Sequence, residues 1–264
     1  MRLRHGIYCA LVVGTLACGP AGDEAPGNGY TPPGTPAAEA KVYAHSDSAL
    51  YTVDPDSLQV TLIGEFLWSE DAPFDSMTDI AIDGAGHMVG ISFDHVYAIN
   101  PATAEVTYLA DLDRSFNGMS FISTSEMDGA GEILVAAALD GSFYRLDPVT
   151  GQSTSIGTYG ADMASSGDIV SVAGFGTVAT VTRVDATTDW LVRVDPSTGA
   201  ATPIGDTGVT GIWGLGFWGS EIYGFTSSNQ FVLLDRQTGR ASVVESSQVE
   251  WWGAGVTTEA LVVD

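Results

Sequence analysis

Lysine is almost missing from this chain: Lys41 is the only one in 264 residues. A P-loop or a Schiff base needs a lysine, so neither can be placed in the folded body. Basic residues of any kind are scarce, 9 against 33 Asp and Glu, for a formal charge of −24. Such a surface repels phosphate backbones and argues against nucleic acid as a partner. Cysteine occurs twice, as Cys9 and Cys18, and histidine four times, so nucleophilic catalysis has few candidates. Long segments of 3.6-residue period are absent as well, while 32 glycines point to an all-β chain rich in turns.

What is present is a 15-residue stretch written five times without a gap. FYRLDPVTGQSTSIG (143–157) is the clearest copy, beside LYTVDPDSLQVTLIG (50–64), VYAINPATAEVTYLA (96–110), LVRVDPSTGAATPIG (191–205) and FVLLDRQTGRASVVE (231–245). Apolar residues alternate on the first arm, as in Tyr97 and Ile99 or Val192 and Val194, which reads as a strand with a buried face. Asp147 can accept backbone N–H bonds, Pro148 presets φ for a type I turn, and Gly151 can take the positive φ that closes the hairpin. Leu58 and Ala104 replace that glycine in the first two copies. Keeping the geometry there costs about 1 kcal/mol each, unless the turn type changes. The turn residues Asp54, Asn100, Asp147, Asp195 and Asp235 are spaced 46, 47, 48 and 40 residues apart.

A period of this size with four strands per repeat is the signature of a β-propeller. Residues 41–264 hold about five periods of ~45 residues, which predicts one propeller domain of five four-stranded blades. The chain enters and leaves it mid-repeat: residues 41–46 offer a second strand without a first, and 251–258 a first strand without its hairpin. Their pairing would close the ring and hide both edges. Residues 260–264 also align with a second strand, which leaves a partial sixth blade as the alternative.

The segment before the propeller reads as an address. Arg2, Arg4 and His5 precede an apolar run over 7–17, the order of a secretory signal peptide over 1–17. The run is too short for a stable bilayer span. Cys18, directly after Ala17, resembles the bacterial lipobox cysteine, with Thr15 where the family usually has Leu. The resemblance implies an N-terminal lipid on Cys18, a membrane anchor, and a bacterial cell-envelope location at the outer membrane or cell surface. An ordinary signal peptide with an incidental cysteine is the alternative. Residues 18–40, rich in Gly, Pro and Ala, cannot bury a core and are expected to be a disordered tether.

The repeat itself resembles the YVTN/PQQ-like and WD40-like propeller group of exported bacterial proteins. That resemblance implies a fold rather than a function. Asp147, Thr150 and Gly151 match part of the docking motif of quinoprotein dehydrogenases, but Ser155 stands where that motif has Trp. Gly214, Gly216 and Gly219 fit G-x-G-x-x-G, yet sit in an inner propeller strand rather than between a strand and a helix. His45, His87 and His95 fall at different strand positions, and the turn acids supply one carboxylate per hairpin, so no metal site and no cofactor is expected.

In a propeller, the loops joining an outer strand to the next inner strand gather around one mouth of the channel. Here they are acidic and aromatic: Trp68, Glu70, Asp71 and Asp75; Asp113 and Phe116; Tyr159 and Asp162; Glu250, Trp251 and Trp252. Aromatic platforms beside carboxylates suit sugars, cationic ligands or basic peptides. The expectation is a monomeric, non-catalytic scaffold that binds a protein, glycan or small molecule through this face. A metal-assisted, lactonase-like hydrolase and a purely structural envelope protein are the alternatives.

Overall fold

The computed structural model describes residues 42–127 and 131–263; the signal segment 1–17, Cys18 and the tether 18–40 lie outside the described residues. The described chain forms five four-stranded antiparallel blades and one added two-residue strand. Strands β1 (Val42–His45), β2 (Ala49–Val53) and β3 (Val60–Glu65) belong to blade 1, and β4 (Leu67–Trp68) follows them. Blade 2 holds β5 (Asp79–Ile82), β6 (Met88–Ile91), β7 (His95–Ile99) and β8 (Glu105–Asp111). Blade 3 holds β9 (Gly118–Ser123), β10 (Glu132–Ala137), β11 (Ser142–Leu146) and β12 (Ser153–Thr158). Blade 4 holds β13 (Met163–Val172), β14 (Gly176–Arg183), β15 (Trp190–Val194) and β16 (Ala201–Asp206). Blade 5 holds β17 (Ile212–Trp218), β18 (Glu221–Thr226), β19 (Gln230–Leu234) and β20 (Ala241–Ser246).

The last strand, β21 (Gly253–Gly255), returns to blade 1 as its innermost strand and pairs antiparallel with β1, Tyr43 opposite Gly255 and His45 opposite Gly253. The two ends of the repeat array thus close the ring and remove the edge that β1 would otherwise present. There is no partial sixth blade among the described residues. The tail instead leans on blade 5, where the Gly219 amide donates to the Leu261 carbonyl and the Val263 amide to Ser220 Oγ.

The repeated stretch forms the two outer strands of every blade. Its corner carboxylates accept backbone N–H bonds, Asp54 from Asp56 and Ser57, Asp147 from Val149, Asp195 from Ser197, and Asp235 from Gln237 and Thr238. Four residues on, the chain takes the left-handed conformation in every copy: φ is 58° at Leu58, 59° at Ala104, 67° at Gly151, 72° at Gly199 and 75° at Gly239. Leu58 and Ala104 therefore keep the glycine geometry rather than a different turn. The glycine that ends the stretch serves the contact between blades. A Cβ at Gly157 would lie 1.8 Å from the Thr198 carbonyl oxygen, and one at Gly205 would lie 2.0 Å from that of Thr238.

The sequence did not announce β4. Within the expected loop over 65–75, Leu67 and Trp68 run parallel to Glu105 and Val106, adding a fifth strand outside β8. Trp68 packs edge-on against Phe66, Phe74 and Tyr97, and that aromatic contact holds the segment against blade 2.

Candidate ligand-binding site at the axial mouth

The five inner strands share one two-residue step. Thr78-Asp79, Asn117-Gly118, Gly167-Asp168, Trp213-Gly214 and Trp252-Gly253 are each followed by an apolar residue, and they place two layers of side chains across the channel. In the lower layer two carboxylates take the room left by three glycines. Asp79 accepts the Met119 amide at 2.6 Å, reaching from blade 2 to blade 3. Asp168 accepts the Leu215 amide at 2.6 Å and the Ala254 amide as well, reaching from blade 4 to blades 5 and 1. The two carboxyls also hydrogen-bond each other, so all five blades meet at this pair.

The layer is full. A Cβ at Gly118 would sit 2.2 Å from the Gly167 carbonyl oxygen, and one at Gly214 would sit 2.6 Å from the Gly253 carbonyl carbon. A Cβ at Gly253 would lie 2.2 Å from His45 Nε2 and 2.6 Å from Asp79 Oδ1, two buried acceptors without a hydrogen-bond partner. The same crowding explains Gly214 of the G-x-G-x-x-G match, while Gly216, also in antiparallel β17, makes room for the Val42 side chain of blade 1.

The upper layer lines a cavity of about 330 Å³ on the axis. Thr78, Asn117, Gly167, Trp213 and Trp252 contribute one residue from each inner strand or its lead-in. Phe93 from the β6–β7 turn, Leu139 from the β10–β11 turn and Phe116 add apolar walls, and Ser115 and Ser166 complete the lining. The Trp213 and Trp252 rings meet edge to face at 6.0 Å. Leu139 is 71% exposed and Phe93 49%, an apolar rim that the other described residues leave open. Asn117 Oδ1 is buried and lacks a hydrogen-bond partner among the described residues, while the buried Ser166 Oγ lies against the Asp189 carboxyl. The result is an apolar cup with one unspent polar atom, Asn117 Oδ1, among its lining residues, the usual build of a small-ligand pocket.

Electrostatics separate cup from plug. Burial, and then the charge of Asp168, pushes the Asp79 carboxyl well above the ordinary range; burial raises Asp168 likewise. Adjoining carboxyls in such a place keep a proton that exposed ones lose. Burial pushes Asp189 up to about 6, against the pull of the Ile212 amide that it accepts. Burial pulls His45 down to about 4, so its ring is neutral, with Nδ1 donating to the Ser46 carbonyl. Asp79 and Asp168 are 0% exposed. A general acid or base must come within about 3 Å of the reacting atom, and this pair is closed off from solvent, with Asp79 Oδ2 and both Asp168 oxygens on backbone amides. Among the described residues, no three His, Cys, Asp or Glu side chains are placed to hold a metal ion.

The residues singled out in the sequence are scattered over this face and beneath it. Phe116 and Trp252 line the axial cavity. Glu250 shares a neighbouring cavity with Trp252, Tyr51 and Asp47. Trp251 is buried against Tyr51 and Phe225, and Tyr159 is buried beside Phe143, its hydroxyl pKa raised by burial. Trp68 and Asp75 sit on the shoulder of blade 2, where Asp75 lies 3.6 Å from His95, with Glu70 and Asp71 exposed in the same loop. Asp113 accepts the Ser153 amide and hydroxyl, and Asp162 pairs with Arg183 at 2.8 Å. Trp213, Phe93, Leu139, Asn117 and Ser166 escaped sequence reading. Aligning inner strands instead of hairpins would have exposed the recurrent x-Asp/Gly step.

No protein-family model matches the chain, and no curated protein matches it. Among solved structures, one chain of a Nidogen/Laminin complex is similar with a TM-score of 0.50 and 10% identity, over 84% of this chain and 100% of that one. The computationally designed Ika8 protein is similar with a TM-score of 0.37 and 16% identity over 82% of this chain, which spans 63% of the designed one. At these identities the likeness concerns the fold alone.

Proposed function

We propose that this protein is a non-catalytic binding module of the bacterial cell envelope, anchored through lipid on Cys18, that receives the apolar part of a ligand in its axial cup. The observation that carries the reading is the cup itself: about 330 Å³, lined from all five blades, walled by Trp213, Trp252, Phe116 and Phe93, with the unpartnered Asn117 Oδ1 in its lining. Beneath it the carboxyl pair serves as a plug that joins the blades, with Asp79 Oδ2 and Asp168 Oδ2 each accepting a backbone amide of the next blade. A channel that only held blades together would not need an aromatic rim.

Titration with Nile red, a neutral apolar dye, tests the cup. Saturable binding is expected, weakened about tenfold or more in Trp213→Ala and in Leu139→Ser. Binding that is absent, or indifferent to both changes, would sink the reading. The anchor has a separate test: Cys18→Ala should move the protein from the membrane fraction to the soluble one. Retention on membranes would mean another anchor.

A further inference from the structure

The axial cup is the middle of three adjoining cavities, and each has its own chemistry. On one side, across Trp213, lies a cavity of about 430 Å³ that shares Leu139, Ser166 and Trp213 with the cup. Its other walls carry Ser165, Thr182, Thr187, Thr188 and Thr210, hydroxyls from blade 4 and the lead-in to blade 5. On the other side, across Trp252, lies a cavity of about 280 Å³ bounded by Asp47, Glu250, Gln248 and Tyr51. The indoles of Trp213 and Trp252, in contact with each other, form the two low walls between these compartments.

We infer that the three compartments form one groove, and that its ligand is a polypeptide segment laid across the face. An apolar or aromatic side chain would seat in the cup, and a Lys or Arg side chain beside it would reach the Asp47/Glu250 compartment. This rests on the cup being the ligand site and adds the identity of the ligand.

Two observations select a basic peptide. First, among the described residues no Lys, Arg or His lines any of the three cavities, while Asp47, Glu250 and Asp189 do. On a chain of formal charge −24, with no internal cation in the groove, an incoming cation finds favourable potential and an anion does not. Tyr51 and Trp252 bound the acidic compartment as well, which adds ring faces that attract a cation. Second, the compartments alternate hydroxyl, aromatic and acidic. A neutral glycan repeats one polar unit and meets the acidic compartment only through hydroxyl donors, with no charge to pair with it. A peptide varies side chain by side chain and carries the backbone amides and carbonyls that hydroxyls recognise.

Short labelled peptides pairing Phe with Lys, in both orders and at one- to three-residue spacing, test this by fluorescence anisotropy, beside matched sets with Gln or Glu for Lys. Maltotetraose and Nile red complete the panel. At least one Phe/Lys spacing should bind about tenfold or more tighter than its Gln partner, with Glu weaker still. The advantage should shrink in Asp47→Asn/Glu250→Gln and at high salt, while Nile red binding stays unchanged in that variant. Equal binding of the Lys, Gln and Glu sets, or preferential binding of maltotetraose, overturns the peptide assignment while leaving the cup in place. Loss of Nile red binding in the unmodified protein would take down the cup and this inference together.

Discussion

The outer half of each blade and its inner strand are built under different constraints. Outward, the chain repeats itself: the Asp/Asn corner, the left-handed residue and the alternation recur in all five blades, and Thr61, Thr107, Thr154, Thr202 and Ser242 are exposed at one equivalent place. Inward, the step Asp79, Gly118, Asp168, Gly214, Gly253 keeps its position but changes its residue. The reason is geometric. Outer hairpins all meet the same surroundings, a neighbouring blade and water, whereas inner strands meet one another on a single axis. Five identical side chains cannot fill that point, so two carboxyls and three glycines share it. Repetition here marks scaffold, and departure from repetition marks the channel.

The sharpest break in this contrast lies at the glycine that ends the repeated stretch. Gly157→Ala drives a methyl into the Thr198 carbonyl, whereas the equivalent Gly64 would place its Cβ 3.8 Å from the Thr103 oxygen. Urea unfolding should show a loss of about 3 kcal/mol or more for Gly157→Ala and under ~1 kcal/mol for Gly64→Ala. Equal losses would mean that the interblade contacts are not the determinant.

Proton linkage gives the next effect. Asp79, Asp168 and Asp189 have folded-state pKa values raised above the ordinary carboxylate value of about 4. Raised values mean that the folded state holds protons the unfolded chain has lost. Their stabilisation is full below about pH 4 and fades as pH rises through about 6, the Asp189 value, and further through those of the pair. The exposed corners work the other way. Hydrogen bonds from Ser197 and from Thr238 lower Asp195 and Asp235, whose contributions fade only at more acidic pH. Melting temperature should therefore fall from pH 5 to pH 8. Asp79→Asn, which mimics the protonated carboxyl, should flatten that slope and melt no lower than the parent at pH 8. An Asn variant with the parent's slope would show that the axial pair does not hold the proton.

The smallest expected effect belongs to the shoulder of blade 2. Trp68→Ala should lose about 1–2 kcal/mol of stability, through its contacts with Phe66, Phe74 and Tyr97, and leave Nile red affinity within about twofold. A large affinity loss would extend the site outward from the axis to the loop over 65–75.

The same contrast explains what could be read from sequence. Corners such as Asp147-Pro148 and their fivefold spacing express local turn chemistry, which one chain displays openly, and ring closure follows from the half-repeats at the two ends. The face that holds the cavities was also legible, because outer-to-inner loops must gather at one mouth. Within it, Phe116, Glu250 and Trp252 reach cavities, while the adjacent Trp251 turns into the core between Tyr51 and Phe225. A pair of neighbouring tryptophans on an extended segment points to opposite sides, and only packing decides which one faces the cavity. Leu139 and Phe93 come from turns between middle strands, which resemble ordinary surface loops until the blades are arranged in a circle.

Filling the cup while sparing the hairpins tests the division most directly. Ser166→Trp adds an indole at the axial cavity, and Thr154→Trp adds the same group at an exposed outer-strand position of blade 3. Nile red titration of both variants, with melting temperature as the check on folding, should show binding abolished in Ser166→Trp and unchanged in Thr154→Trp at closely similar stability. Retained binding in a well-folded Ser166→Trp, or loss confined to Thr154→Trp, would contradict the assignment of the site to the axis.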